Sequence, residues 1–111
     1  MKELVAVIAA WALLGFASSA FAQAEANDQC EKGPELQTAL SYYDNNDYGR
    51  AATAFEELAT AGDPCGEYWL AEMYHNGQGV PRDQNKYSDW LGKSAAQGYS
   101  KARIRLSLIN Q

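Results

Sequence analysis

Glycines at positions 62 and 98 stand 36 residues apart, and this interval constrains the fold more than any other feature of the chain. Leu70 and Leu106 keep the same step, as do Gly66 and Ala102. The segments ahead of the two glycines also agree: Arg50-Ala51, Phe55 and Ala59 fall 36 before Lys86-Tyr87, Leu91 and Ala95. A period of this size marks stacked helix pairs, since one pair cannot bury its apolar face alone.

Local signals divide the chain into helices. Pro34 suits a first helical position, and Glu35 complements the partial positive charge of a helix start. Leu36, Ala39, Leu40 and Tyr43 then recur at three- and four-residue intervals. Asp44-Asn45-Asn46-Asp47 breaks that helix, because these side chains compete for backbone hydrogen bonds. Asp47 can cap a second helix, from Tyr48 to about Ala61, and Gly62 stops it. Asp63-Pro64 opens a third, running to Asn76, and Gly77 to Pro81 form a turn too rich in glycine for helix. A fourth spans about Gln84 to Gln97, Gly98 stops it, and a fifth starts near Ser100 with Ala102, Leu106 and Ile109. No stretch shows the strict alternation of a strand, so the expected class is all-α.

The opening residues follow the grammar of a secretory signal. Lys2 precedes an uncharged apolar run from Leu4 to Ala17, and Ala20 and Ala22 occupy the two small-residue positions of a peptidase site. The run is shorter than the roughly 20 residues that span a bilayer. The expectation is a signal peptide over residues 1–22, cut between Ala22 and Gln23, followed by a loose polar leader over 23–33. Beyond it lies one small domain, for which a covalent staple would help. Cys30 and Cys65, an even count in an exported chain, are expected to pair as a disulfide. In the chain-entropy account that bridge is worth ~3–4 kcal/mol. A formal net charge of −5 makes the surface poor at displacing counterions from nucleic acid or anionic lipid. Neither is expected as a partner, and no membrane span is expected beyond the signal.

With Leu70, Tyr74, Gly77, Gly79, Val80, Asp83, Lys86, Trp90, Ala95 and Gly98 in one register, residues 66–98 resemble a whole Sel1-like repeat, a relative of the tetratricopeptide repeat. The family pattern has alanine at 66, 87 and 94 and glycine at 71. Here Gly66, Tyr87, Ser94 and Ala71 stand there, with Tyr87 the largest change in volume. The resemblance implies a short α-solenoid of antiparallel helix pairs: a shortened pair over 34–62, a complete repeat over 63–98, and a capping helix over 99–111. It also implies contacts with other proteins, commonly in bacterial envelopes.

Catalytic and ligand-binding patterns fail on inspection. Gly77-Gln78-Gly79 follows a helix rather than a strand, and no Lys-Ser/Thr comes after it, unlike a phosphate loop. His75 has no second ligand at metal spacing, so no metal or cofactor is expected. Glu56-Glu57 and Glu67/Glu72 read as solvated helical charges. Several aromatics are left over once repeat packing is accounted for: Tyr42, Tyr68, Trp69 and Tyr87. Tyr and Trp favour binding surfaces, and in solenoids the first helix of a pair tends to line the concave side. The expected contact surface is therefore the helix over 66–76, through Tyr68, Trp69, Glu72 and His75, with Tyr42 nearby. The expected role is a non-enzymatic, periplasmic or secreted adaptor with a protein partner. Two alternatives are a periplasmic immunity protein, whose acidic surface would suit a basic toxin, and a cysteine-rich Sel1-like hydrolase of penicillin or cell-wall peptides.

Overall fold

The computed structural model describes residues 28–111; the expected signal peptide and its cut at Ala22 and Gln23 lie outside them. A 3-10 helix, Gln29–Lys32, precedes α1 (Pro34–Asp44), α2 (Tyr48–Thr60), α3 (Pro64–Asn76), α4 (Gln84–Ala96) and α5 (Ser100–Ile109). Among the described residues there is no strand, and the protein is all-α.

Three aspartates start three helices by the same chemistry. The Asp47 carboxylate accepts from the Arg50 backbone N–H at 3.4 Å. Asp63 accepts from Cys65 and Gly66 at 2.8 and 3.1 Å, and Asp83 from Asn85 and Lys86 at 3.0 and 3.1 Å. Each satisfies backbone donors that the first turn of a helix leaves open. Pro34 and Pro64 sit in first turns, where the missing N–H costs nothing.

Each α-helix packs on the next, with short connections between them. The core is built from Leu36 and Ala39 of α1, Ala51, Ala52, Phe55 and Ala59 of α2, Cys65, Leu70, Ala71 and Met73 of α3, and Tyr87 and Leu91 of α4. Tyr99 and Ala102 complete it at the start of α5. A chain of rings runs across these elements. Tyr48 meets Tyr43 at 5.4 Å between centroids, Tyr43 meets Trp69 at 5.5 Å, Trp69 meets Tyr68 at 5.7 Å, and Tyr68 meets Tyr99 at 5.5 Å. Pairs at such separations contribute about 0.5–1.5 kcal/mol each beyond area burial.

Residues 28–33 differ from the loose leader that their composition suggests. Cys30 is bonded to Cys65, with Cα atoms 5.8 Å apart. The Asp28 carboxylate accepts from the Ser100 N–H at 3.2 Å and from its hydroxyl at 2.6 Å, capping α5 across 72 residues of sequence. Glu31 accepts from the Tyr99 hydroxyl at 2.8 Å and pairs with Lys101 at 3.1 Å, and its carbonyl accepts from the Gln37 side chain at 2.7 Å. The segment is a strap that ties the starts of α1, α3 and α5 together.

Glycines set two close approaches. A Cβ at Gly66 would overlap the Leu58 side chain and press on the Ala59 backbone, so α3 and α2 can meet there only without one. Gly79 has a φ of +70°, and a Cβ would overlap the Tyr48 carbonyl. By contrast, a Cβ at Gly92, inside α4, would meet nothing within 4 Å. Gly66→Ala is expected to destabilise the domain by about 1–3 kcal/mol through overpacking. Gly92→Ala should stabilise it by about 0.5–1 kcal/mol through helix propensity. Denaturant unfolding of the two variants beside the parent checks both signs.

Candidate interaction face

The residues expected to form one contact surface are distributed over several places. Trp69 is half-buried, stacked on Phe55 at 5.8 Å between centroids, and belongs to the α1–α2–α3 packing. His75 is also half-buried. It stacks on Tyr87 at 4.5 Å, and its Nδ1 lies 3.2 Å from the Gln84 side chain, so it is not a simply solvated histidine. Tyr87 itself is buried, so its bulk is taken up inside the packing.

Glu67 and Glu72 correct the reading of solvated helical charges, because both are buried. Gln97 donates from one amide nitrogen to Glu67 and to the Gly62 carbonyl, joining the end of α4 to the start of α3. Burial pushes the Glu67 carboxyl above the usual carboxylate range, and the Gln97 bond only partly offsets it. Glu72 accepts from Arg105 Nη2 at 2.8 Å, an ion pair that joins α3 to α5. Both carboxylates serve seams between helices rather than an open surface.

Tyr68 and Tyr42 reach solvent at two different ends. Tyr68 edges a shallow depression with Lys101, Ile104, Arg105 and Leu108. Tyr42 lines a groove between α1 and α2 together with Glu35, Thr38, Ala54, Glu57, Leu58 and Ala61.

The most exposed apolar surface among the described residues lies on α5. Ile104 is 63% exposed and Leu108 59%, and Ile109 adds a further 46%. Ile104 and Leu108 are four residues apart and share one helical face, with Ser100 and Ser107 beside them. Ala102 and Leu106, on the opposite side, hold the helix to the core. Lys101, Arg103 and Arg105 flank the face, and α5 holds no acidic residue. Lys101 and Arg105 are paired with Glu31 and Glu72, which leaves Arg103 as the rim cation outside these ion pairs, and an apolar centre beside it suits burial against a surface of opposite charge.

Sequence reasoning missed this face because Ala102, Leu106 and Ile109 satisfied the expected stripe. The available signal was surplus: Ile104 and Leu108 fall off that stripe, so α5 carries aliphatic residues on both sides. A capping helix is expected to turn a polar side outward, and this one does not.

Cys30, Asp63 and Cys65 bring three donor atoms within 4.8 Å, but the bridge uses both sulfurs and Asp63 caps α3. No described helix is long and apolar enough to cross a membrane. No family model, curated protein or solved structure matches this chain.

The strap that positions α5 contains a titratable contact, Glu31 with Tyr99 and Lys101. The Tyr99 hydroxyl holds the Glu31 carboxyl below its usual 4.5, and Lys101 adds to this against the cost of partial burial. A lowered folded-state value gives stability that is present above pH 4.5 and lost as pH falls through the folded value. The expected outcome is that Glu31→Gln lowers stability near neutral pH and flattens its decline below pH 4.5. Denaturant midpoints across that range read both effects.

Proposed function

We propose that this protein is an exported, non-enzymatic docking module built as a short Sel1-like stack of antiparallel helix pairs, and that it binds protein through the outer face of α5. The single observation that carries the docking role is the pair Ile104 and Leu108, both more than half exposed and rimmed by Lys101, Arg103 and Arg105. Leaving two large aliphatic side chains in water on one helix face has a cost that a partner would remove.

Local geometry supports the repeat reading. Asp83, one of the family-pattern positions, is the N-cap of α4, and Gly79 occupies a turn where a side chain does not fit. The departures have local reasons. Gly66 admits α2, Tyr87 stacks on His75, and Ser94 is fully buried with its hydroxyl donating to the Pro64 carbonyl at 2.6 Å. Export is supported by the Cys30–Cys65 bridge, since such bonds persist in oxidising compartments. The periplasm fits both that bridge and the signal-like opening residues.

The partner surface implied by the rim is acidic with an apolar centre. Affinity capture from an envelope extract tests the reading with Ile104→Asp and Leu108→Asp. Both positions are exposed, so thermal stability should change little. The expected outcome is loss of the captured protein with each variant and retention with a control change at exposed Glu56. Unaltered capture by both α5 variants overturns the assignment.

A further inference from the structure

The face on α5 and the groove between α1 and α2 are complementary in charge and in relief. The groove has a free volume of about 470 Å³ and a floor of Tyr42, Ala54, Leu58 and Ala61. Residues 54 and 58 of α2 and Ala61 at its C-cap follow one ridge on which small alanines flank one leucine. Small residues allow a second helix to approach closely. On α5 the relief is reversed, with Ile104 and Leu108 as projecting side chains and Ser100 and Ser107 as gaps beside them.

The charges are also unspent at both places. Three ion pairs form among the described residues: Asp47–Arg50, Glu31–Lys101 and Glu72–Arg105. Arg103 on α5 and Glu35 and Glu57 in the groove are exposed and take no part in them. The two surfaces therefore present a cation and two carboxylates to opposite ends of the same molecule.

We infer that the occupant of the α5 face is the α1/α2 groove of a second copy of this chain, so that copies join head to tail. This deepens the docking reading and rests on it for the use of Ile104 and Leu108. A symmetric pairing of two α5 faces is disfavoured, because it would set the unpaired Arg103 against its own counterpart with no carboxylate between them. Head-to-tail contact uses two different patches, so each added copy leaves one end open and association does not stop at a pair unless the ring closes. A single helix seated in a groove is a small interface, which makes the association weak and reversible. Its ionic part is screened by salt.

Sedimentation equilibrium of the disulfide-intact chain over a range of concentrations tests the inference. The parent should form dimers and larger species as concentration rises, less so in high salt. Ile104→Asp, which blocks the tail, and Glu57→Lys, which spoils the groove, should each lower the association constant on the order of tenfold or more. Mixing the two should recover an interface, because the intact tail of Glu57→Lys meets the intact groove of Ile104→Asp. That mixture should stop at a one-to-one pair. Arg103→Glu should likewise weaken self-association and regain it on mixing with Glu57→Lys. Circular dichroism of each variant, unchanged from the parent, separates lost contact from lost folding.

A parent that stays monomeric at every concentration overturns the inference. So does a dimer that survives Glu57→Lys, or one that strengthens when Arg103→Glu is mixed with the parent beyond what the groove allows, as a symmetric α5 contact would. If the parent is monomeric but Ile104→Asp still loses a captured foreign protein, the second copy is excluded while the docking face stands. If Ile104→Asp changes neither measurement, both fall.

Discussion

The other described helices are positioned by the burial of α3. Cys65, Gly66, Glu67, Leu70, Ala71, Glu72 and Met73 are all buried, so this helix is covered on nearly every side. Covering a helix so completely requires that neighbours come close where they meet it, and that any polar group it carries find a partner. Gly66 meets the first requirement by admitting α2. Gln97 and Arg105 largely meet the second, supplying partners for Glu67 and for Oε2 of Glu72 from the end of α4 and from α5, while Oε1 of Glu72 is buried without a hydrogen bond. The two carboxylates are thus points where the later helices are held in place.

The ends of the stack are coupled through the same helix. The ring chain from Tyr48 through Trp69 to Tyr99 joins the first helix pair to the start of α5. The strap over residues 28–33 runs parallel to it in effect, held covalently at Cys65 and by hydrogen bonds at Gln37, Tyr99 and Ser100. Together with Ala102 and Leu106 in the core and the Arg105–Glu72 pair, they fix the pose of this ten-residue helix. A rigidly held helix with an uncovered apolar face is pre-organised for docking, because binding need not first order it. The strap therefore bears on the proposed docking although it lies away from Ile104 and Leu108.

Much of the fold was readable from local chemistry. Asp47, Asp63 and Asp83 cap helices, Pro34 and Pro64 open them, and Gly62, Gly77 and Gly98 follow their ends, all within a few residues of the structure they determine. The disulfide was readable too, from the even cysteine count and the expected signal-like opening residues. What local chemistry could not reveal were partners far away in sequence. Asp28 and Ser100 are 72 residues apart, Glu31 and Tyr99 are 68, and Glu72 and Arg105 are 33. Each acid looks like an ordinary surface charge until the opposite element is in place. The packing of the expected contact residues was hidden for the same reason. Trp69 is used by Phe55 and Tyr43, whereas Ile104 and Leu108 stay mostly exposed with only Tyr68 of α3 at the edge of their depression.

Amide hydrogen exchange, followed residue by residue at low and high protein concentration, tests the central claim most directly. The account predicts slowest exchange in α3 at any concentration, since opening it disturbs all four neighbouring helices. It also predicts that raising the concentration slows exchange around Ile104 to Leu108 and around Ala54 to Ala61, and leaves α3 unchanged. An α3 that exchanges faster than α1 or α2 would contradict the packing account, and protection that never changes with concentration would contradict the pairing of α5 with the α1/α2 groove.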